Sequence, residues 1–208
     1  MTAWLLDGGT LLSAYLLGSL PFSYWVARWR GVDVRTVGSG NVGATNVLRS
    51  AGRIAGATAF VLDALKGACA CLLGGWVQPH GWLAPAAAAV AVAGHVYPVW
   101  LRFRGGKGAA TGLGAFVLLA PLATVCALLV FVVVLVSTRY VSLSSMLAAL
   151  TLPVLAVVLG ASSAVGLCSA AVAALIVIRH RVNALRIVRG TESRVGPEPD
   201  AAREGGAA

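Results

Sequence analysis

The chain reads as an all-α, polytopic membrane protein: a helical bundle of about seven transmembrane helices, N-terminus outside and C-terminus in the cytoplasm. Three observations predict this. The first is composition, with 59% of the 208 residues apolar and 11% charged and a mean hydropathy of +0.87, whereas soluble domains carry about 25% charged residues. The second is pattern, because long apolar runs alternate with short polar stretches. The third is where the net charge of +9 sits. Basic residues gather at 28–53, 102–107, Arg139 and 179–203, and such clusters mark cytoplasmic loops. Topology thus explains the basic balance, and no nucleic-acid partner is implied.

The first apolar segment, 10–27, is followed rather than preceded by Arg28 and Arg30. A cleaved secretory signal has the opposite order, so an uncleaved helix is expected, with Pro21 tolerated inside it where Ser19, Ser23 or a neighbouring helix satisfies the freed carbonyl. A polar loop fills 31–53. The second segment, 54–77, carries Asp63 and Lys66, which at i and i+3 share one helix face and can neutralise each other near the bilayer midplane. An outer turn at 78–81 leads to the third segment, 82–100. The apolar stretch 109–136 exceeds the roughly 20 residues that span a bilayer. One crossing would leave Arg139 outside, so Pro121 is expected to divide the stretch into a hairpin of two short, tilted helices. A polar turn at 138–145 precedes two last segments, 146–159 and 164–178, joined by an outer turn at 160–163. The chain leaves the membrane through 179–192, where His180, Asn183 and Arg186 would form one polar stripe on a continuing helix that stops at Gly190. Residues 1–192 are thus a single membrane-embedded domain, and 193–208, rich in Gly, Ala, Pro and charge, a disordered cytoplasmic tail. Cys69, Cys71, Cys126 and Cys168 lie in apolar segments and are expected to be small buried hydrophobes.

Two polar stretches have the composition of anion cradles. In GHVYPVWLRFRGGKGAAT, 94–111, Gly105, Gly106 and Gly108 flank Lys107, and three glycines at positive φ would turn their N–H groups toward a common anion. The nucleotide P-loop is excluded, since Leu101 stands where its first glycine belongs and Gly108 where it needs Ser or Thr. In GSGNVGATNVLR, 38–49, Ser39, Asn41, Thr45 and Asn46 offer short hydrogen-bonding side chains, and Arg49 a planar fork suited to phosphate oxygens. Each stretch alone is equally a polar loop. By the topology above, all polar stretches converge on one face of the bundle.

GSGNVGATN, GHVYPVWLRFRGGKGAAT and RHRVNALRIVRGTE resemble, in order and separation, the three signature motifs of the bacterial acyl-phosphate:glycerol-3-phosphate acyltransferase family. Ser144 departs from that pattern, where a glycine is usual. The resemblance implies transfer of an acyl chain from acyl phosphate to the sn-1 hydroxyl of glycerol 3-phosphate, at the cytoplasmic face of the bacterial plasma membrane. Its products would be lysophosphatidic acid and phosphate. Carried over motif by motif, it implies that Ser39, Asn41, Arg49, His95, Gly105, Gly106 and Gly108 bind substrate, that Lys107, Ser142, His180 and Asn183 form the reacting centre, and that Glu192 braces the third motif. No cofactor is implied, and no metal, because no His, Cys or carboxylate cluster in the polar loops has ligand spacing. The partners are the two phosphate-bearing substrates and the lipid bilayer; oligomeric state stays open.

The donor can also be argued from what is missing. Acyl-CoA-dependent enzymes of this reaction use a His with an Asp five positions later, and here Pro85, Trp100 and Leu185 follow His80, His95 and His180 at that spacing. A donor with a good leaving group is then expected, attacked directly by the glycerol hydroxyl. His180 as general base is the rival. The competing class is a membrane transporter for a phosphate ester or other anion, which would also want basic loops. Such transporters often carry internal repeats and midplane helix breaks; this chain shows no convincing repeat, and its polar motifs sit at helix ends on one side.

Overall fold

The computed structural model describes residues 2–196, and among them the regular structure is entirely helical. The order is α1 (Thr2–Ser19), α2 (Phe22–Trp29), α3 (Ala44–Ala51), α4 (Arg53–Val77), α5 (Leu83–Val96), a 3₁₀ turn (Val99–Leu101), α6 (Ala109–Leu119), α7 (Pro121–Thr138), α8 (Val141–Val158), α9 (Ser163–Arg179) and α10 (Arg181–Val188). Among the described residues four spans are long and apolar enough to cross a membrane, or five counting the pair α9 and α10, which bend by 53°. The expected seven is therefore not reached by length and composition alone: α6 has 11 residues, and α1 carries Asp7, Gly8 and Gly9.

Pro21 breaks the first segment instead of being absorbed by it. Its ring forbids the next helical hydrogen bond, so α1 stops at Ser19 and α2 starts at Phe22. The freed Leu20 carbonyl is taken by Lys66 Nζ at 2.8 Å, while Ser23 Oγ donates to Asp63 Oδ2 at 2.6 Å. Lys66 and Asp63 form the expected ion pair, 2.9 Å apart and almost wholly buried. Removing one partner of such a pair costs about 3–5 kcal/mol, because the other charge is left uncompensated.

The bundle closes through small residues rather than large apolar ones. Gly18 meets Ala91 and Gly94 meets Tyr15 where α1 crosses α5, and Gly67 meets Thr111 and Gly114 meets Ala64 where α4 crosses α6. Any Cβ at these glycines would collide with backbone, the contact mode by which membrane helices approach each other without a hydrophobic drive between them. One core cluster joins α5, α6, α8 and α9 through Val92, Phe116, Ala149 and Ile176. The outer faces carry Leu and Val, most heavily on α7, whose mean hydropathy is 2.5. All four cysteines are free thiols, and only Cys71 is buried; Cys69 is exposed, against the expectation, because it lies on the outward side of α4.

Two contacts orient the ends of the bundle. Gln78 Nε2 donates to Asp7 Oδ1 at 2.9 Å, bringing the start of α1 to the α4–α5 turn. At the other end Arg139 Nε donates to the Val195 carbonyl and Val195 N–H to the Arg139 carbonyl. Residues 193–195, expected in a free tail, therefore lie against the bundle, with Arg194 over the Tyr140 ring; 197–208 fall outside the described residues. The stretch from α6 to α7 does break before Pro121, with Pro at the first position of α7 where its missing N–H costs nothing.

Candidate active site

The chain between α5 and α6 reverses on itself. After the 3₁₀ turn, Arg102 and Phe103 take left-handed φ of 52° and 62°, so the segment carrying the glycines runs back along the end of α5. Gly105 N–H donates to the Val96 carbonyl at 3.1 Å and Gly106 N–H to the His95 carbonyl at 3.2 Å. These bonds correct the expected three-glycine nest, because two of its N–H groups are already spent on α5 and only Gly108 has positive φ, 90°. Gly105 and Gly106 are small for another reason. A Cβ on Gly105 would strike the His95 carbonyl and Pro98, and one on Gly106 the His95 ring and the Val42 carbonyl. What remains for an anion is Lys107 and the unbonded N–H groups opening α6.

Lys107 is half-buried, and its Nζ donates to Asn183 Oδ1 at 2.6 Å. Asn183 Nδ2 donates to Glu192 Oε1 at 2.7 Å, and Ser142 Oγ to the same oxygen at 2.7 Å. Glu192, expected to brace the third motif, joins α10, the first turn of α8 and, through Asn183, the glycine loop. Ser142 is helical rather than part of a turn, since α8 begins at Val141, five residues before the expected apolar start. Burial lowers the pKa of Lys107 to about 8; Glu192 pulls it back up, while Arg186, Arg179 and Arg49 push it further down. One carboxylate among that many cations leaves the site with an excess of positive charge, which suits anionic ligands.

His180 stands at the bend between α9 and α10, so the expected continuing stripe is broken: His180 and Asn183 are buried while Arg186 is exposed. Gly190 ends the segment with φ of 69°. The His180 Nδ1 lies 2.8 Å from the Ile176 carbonyl, and a carbonyl only accepts, so Nδ1 carries the proton. In the neutral ring Nε2 then holds the free lone pair.

The first loop is organised by a residue that the sequence showed only as one of several polar side chains. Asn46, buried in α3, holds its Nδ2 within hydrogen-bond distance of the carbonyls of Val34 (2.9 Å), Val37 (3.1 Å) and Asn41 (3.1 Å), which share its two hydrogens, and its Oδ1 accepts the Ser39 N–H at 3.1 Å. Gly38 and Gly40, at φ of 59° and 68°, let the chain wrap around it. Ser39 is exposed and Asn41 half-buried. Residues 44–51, expected as loop, are helical, and Arg49 reaches from that helix to the Ser193 carbonyl at 3.3 Å. His95, expected to bind substrate, sits beneath the glycine loop. It is buried between Asp63 and the Gly106 backbone, with Nδ1 3.5 Å from Asp63 Oδ1, and so backs the glycine loop. Along α3 and α4 runs a groove of about 320 Å³, lined by Thr45, Leu48, Phe60 and Val61, with Arg53 in its wall.

Comparison with known proteins finds relatives of one kind. A family model described as glycerol-3-phosphate acyltransferase matches residues 9–190. The glycerol-3-phosphate acyltransferase of Geotalea daltonii is 45% identical over 184 residues, 88% of this chain and 94% of that one. That of Myxococcus xanthus is 46% identical over 187 residues, covering 88% and 97%. Among solved structures, PlsY (YgiH), an integral membrane glycerol 3-phosphate acyltransferase, superposes in its glycerol 3-phosphate form with a TM-score of 0.87 at 38% identity, over 94% of this chain and 96% of that one. Its lysophosphatidic acid form gives 0.85.

Proposed function

The chain belongs to the glycerol-3-phosphate acyltransferase family, and on that premise we propose that it transfers an acyl chain from acyl phosphate to the sn-1 hydroxyl of glycerol 3-phosphate. The observation that carries the reading is the joined cluster Lys107, Asn183, Glu192 and Ser142, which draws two of the motifs and α8 into one cationic centre beside His180. Both substrates bring phosphate to it. Arg49, with Ser39 and Asn41, holds one phosphate through a fork and short donors; Lys107 and the α6 amides after Gly108 hold the other.

The glycerol hydroxyl oxygen attacks the acyl carbonyl carbon directly. The new C–O bond forms as the bond from that carbon to the phosphate oxygen breaks. The electron pair leaves with the phosphate, which also takes the hydroxyl proton, so lysophosphatidate and inorganic phosphate result with no acyl-enzyme. The free Nε2 of His180 accepts from the hydroxyl and aligns it, and Asn183 and Ser142 orient the reactants. Lys107 neutralises charge as it gathers on the departing phosphate. The acyl tail lies on the lipid-facing helices, and the groove beside α3 supports that reading by its apolar lining.

The topology follows the same frame. Seven crossings, by α1, α4, α5, α6, α7, α8 and α9, put the N-terminus outside and the site at the cytoplasmic face of a bacterial plasma membrane. The reading is supported by Gly108 and Arg139 lying at the same end, linked through Asn183, Glu192 and Val195, which requires α6 and α7 to enter and return. Purified protein given labelled glycerol 3-phosphate tests the proposal: acyl phosphate should yield lysophosphatidate and acyl-CoA none. Turnover with acyl-CoA alone would reverse the assignment of donor.

A further inference from the structure

We propose that Asp63, Lys66 and His95 are positioning residues that hold the Lys107 loop in register with the first loop. The inference rests on Lys107 being a phosphate ligand, and it assigns the buried ion pair of α4 a part in the reaction. Asp63, Lys66 and His95 are 1%, 2% and 7% exposed, and they form a single cluster under the glycine loop. Each arm reaches a different segment. Lys66 Nζ caps the Leu20 carbonyl at the α1–α2 break, and Ser23 of α2 donates to Asp63 Oδ2. The other Asp63 oxygen faces two cations or donors at once, Lys66 Nζ at 2.9 Å and His95 Nδ1 at 3.5 Å.

His95 is the part that touches the loop. Its carbonyl accepts the Gly106 N–H, and its ring fills the space that a Gly106 side chain would need, opposite the Val42 carbonyl of the first loop. The ring is therefore a spacer between the two phosphate-binding segments, with Asp63 Oδ1 3.5 Å from its Nδ1. Little slack exists: the cavity bounded by Ser19, Val42, Asp63, Lys66, His95 and Gly106 is about 10 Å³, the size of about one water at most. Lys107 follows Gly106 directly, so turning or losing the ring shifts the Lys107 ammonium against Asn183, now 2.6 Å away. Displacements of about 1 Å in a reacting array cost on the order of a hundredfold in rate. A bundle that needed only stability could fill this space with apolar side chains at no loss; an imidazole set beside a buried ion pair sets an orientation.

The test is a double-mutant cycle on the purified full-length protein, scored by lysophosphatidate formation and by thermal unfolding. Asp63→Asn with Lys66→Met removes both charges at nearly constant volume, which avoids a lone buried charge. The expected result is a loss in kcat/KM of at least about tenfold in the parent and under about threefold when Lys107→Ala is already present, because the two act on one interaction. His95→Gln should behave likewise and stands in if the charge-pair variant fails to fold. Parental kcat/KM in the folded variants, or the same fold loss in both backgrounds, overturns the proposal, since a purely structural role lowers the unfolding temperature without coupling to Lys107. If Lys107→Ala alone is unimpaired, it is the phosphate reading of the loop that fails, and the positioning role falls with it.

Discussion

Replacing Lys107 by alanine should lower kcat/KM by between about tenfold and a hundredfold. The lower bound corresponds to about 1.4 kcal/mol, and the range to the roughly 1.5–3 kcal/mol typical of a hydrogen bond to a charged group. The structure supports the upper half of that range, because Lys107 is held at 2.6 Å by Asn183 Oδ1 and is half-buried, so its charge is poorly screened. The same burial supplies a second, sharper signature. With its pKa lowered to about 8, the free enzyme loses the ammonium as pH rises through that value, so kcat/KM should fall on the alkaline side from about pH 8. A bound phosphate favours the charged form, so the alkaline limb of kcat should lie at higher pH than that of kcat/KM. Lys107→Arg should remove the limb, since guanidinium does not titrate in this range, without restoring full activity, since a planar fork does not fit the place of a compact ammonium. The assay is formation of labelled lysophosphatidate at saturating and limiting glycerol 3-phosphate from pH 6 to 10. Near-parental kcat/KM in well-folded Lys107→Ala, or an unchanged alkaline limb in Lys107→Arg, would refute the reasoning.

Three further outcomes are expected. His180→Gln should keep substantial turnover, with the acidic limb of kcat/KM intact, because the proton goes to the departing phosphate; a nearly dead variant whose His180→Ala counterpart loses that limb would make His180 the base. In a cysteine-free background, cysteines at Arg35, Arg104, Arg139 and Arg194 should be shielded from an impermeant thiol reagent in intact cells and one at His80 should react, with labelling at Arg139 contradicting the return of α6 and α7. Asn46→Ala should destabilise the folded protein by about 1–3 kcal/mol, read as a lowered unfolding temperature, because it strips one N–H and three carbonyls of their partner at once; an unchanged transition would show that the loop does not depend on that amide.

Much of the site was legible along the chain, and the misses have specific causes. Lys107, Asn183, Ser142 and Glu192 were recognisable by motif, and the structure joins all four. The roles of Gly105 and Gly106 were misread because glycine composition does not distinguish a positive φ from a tight approach; here the neighbour is His95, ten residues upstream of one and eleven of the other. Asn46 was visible as a polar residue but not as the hub of its loop, since its partners are set by how 34–41 folds back. Asp63 and Lys66 were recognised as a pair from their i, i+3 spacing, while the third member, His95, comes from another helix and carries no local signal.

What the sequence determined by itself was the membrane class, the helical content, the gathering of polar motifs at one end and the chemistry those motifs can support. Hydropathy, charge clustering and the effect of proline act over contiguous residues, so they are readable without knowing what lies alongside. Only the tertiary structure decided that Pro21 divides its segment with Lys66 closing the gap across 46 residues, that Ser142 meets Glu192 across 50 residues and Lys107 meets Asn183 across 76, and that the glycine loop rests on a histidine rather than opening as a nest. A buried donor takes whichever acceptor packing brings within hydrogen-bond reach, and in a bundle closed through glycines that partner depends on which helices cross.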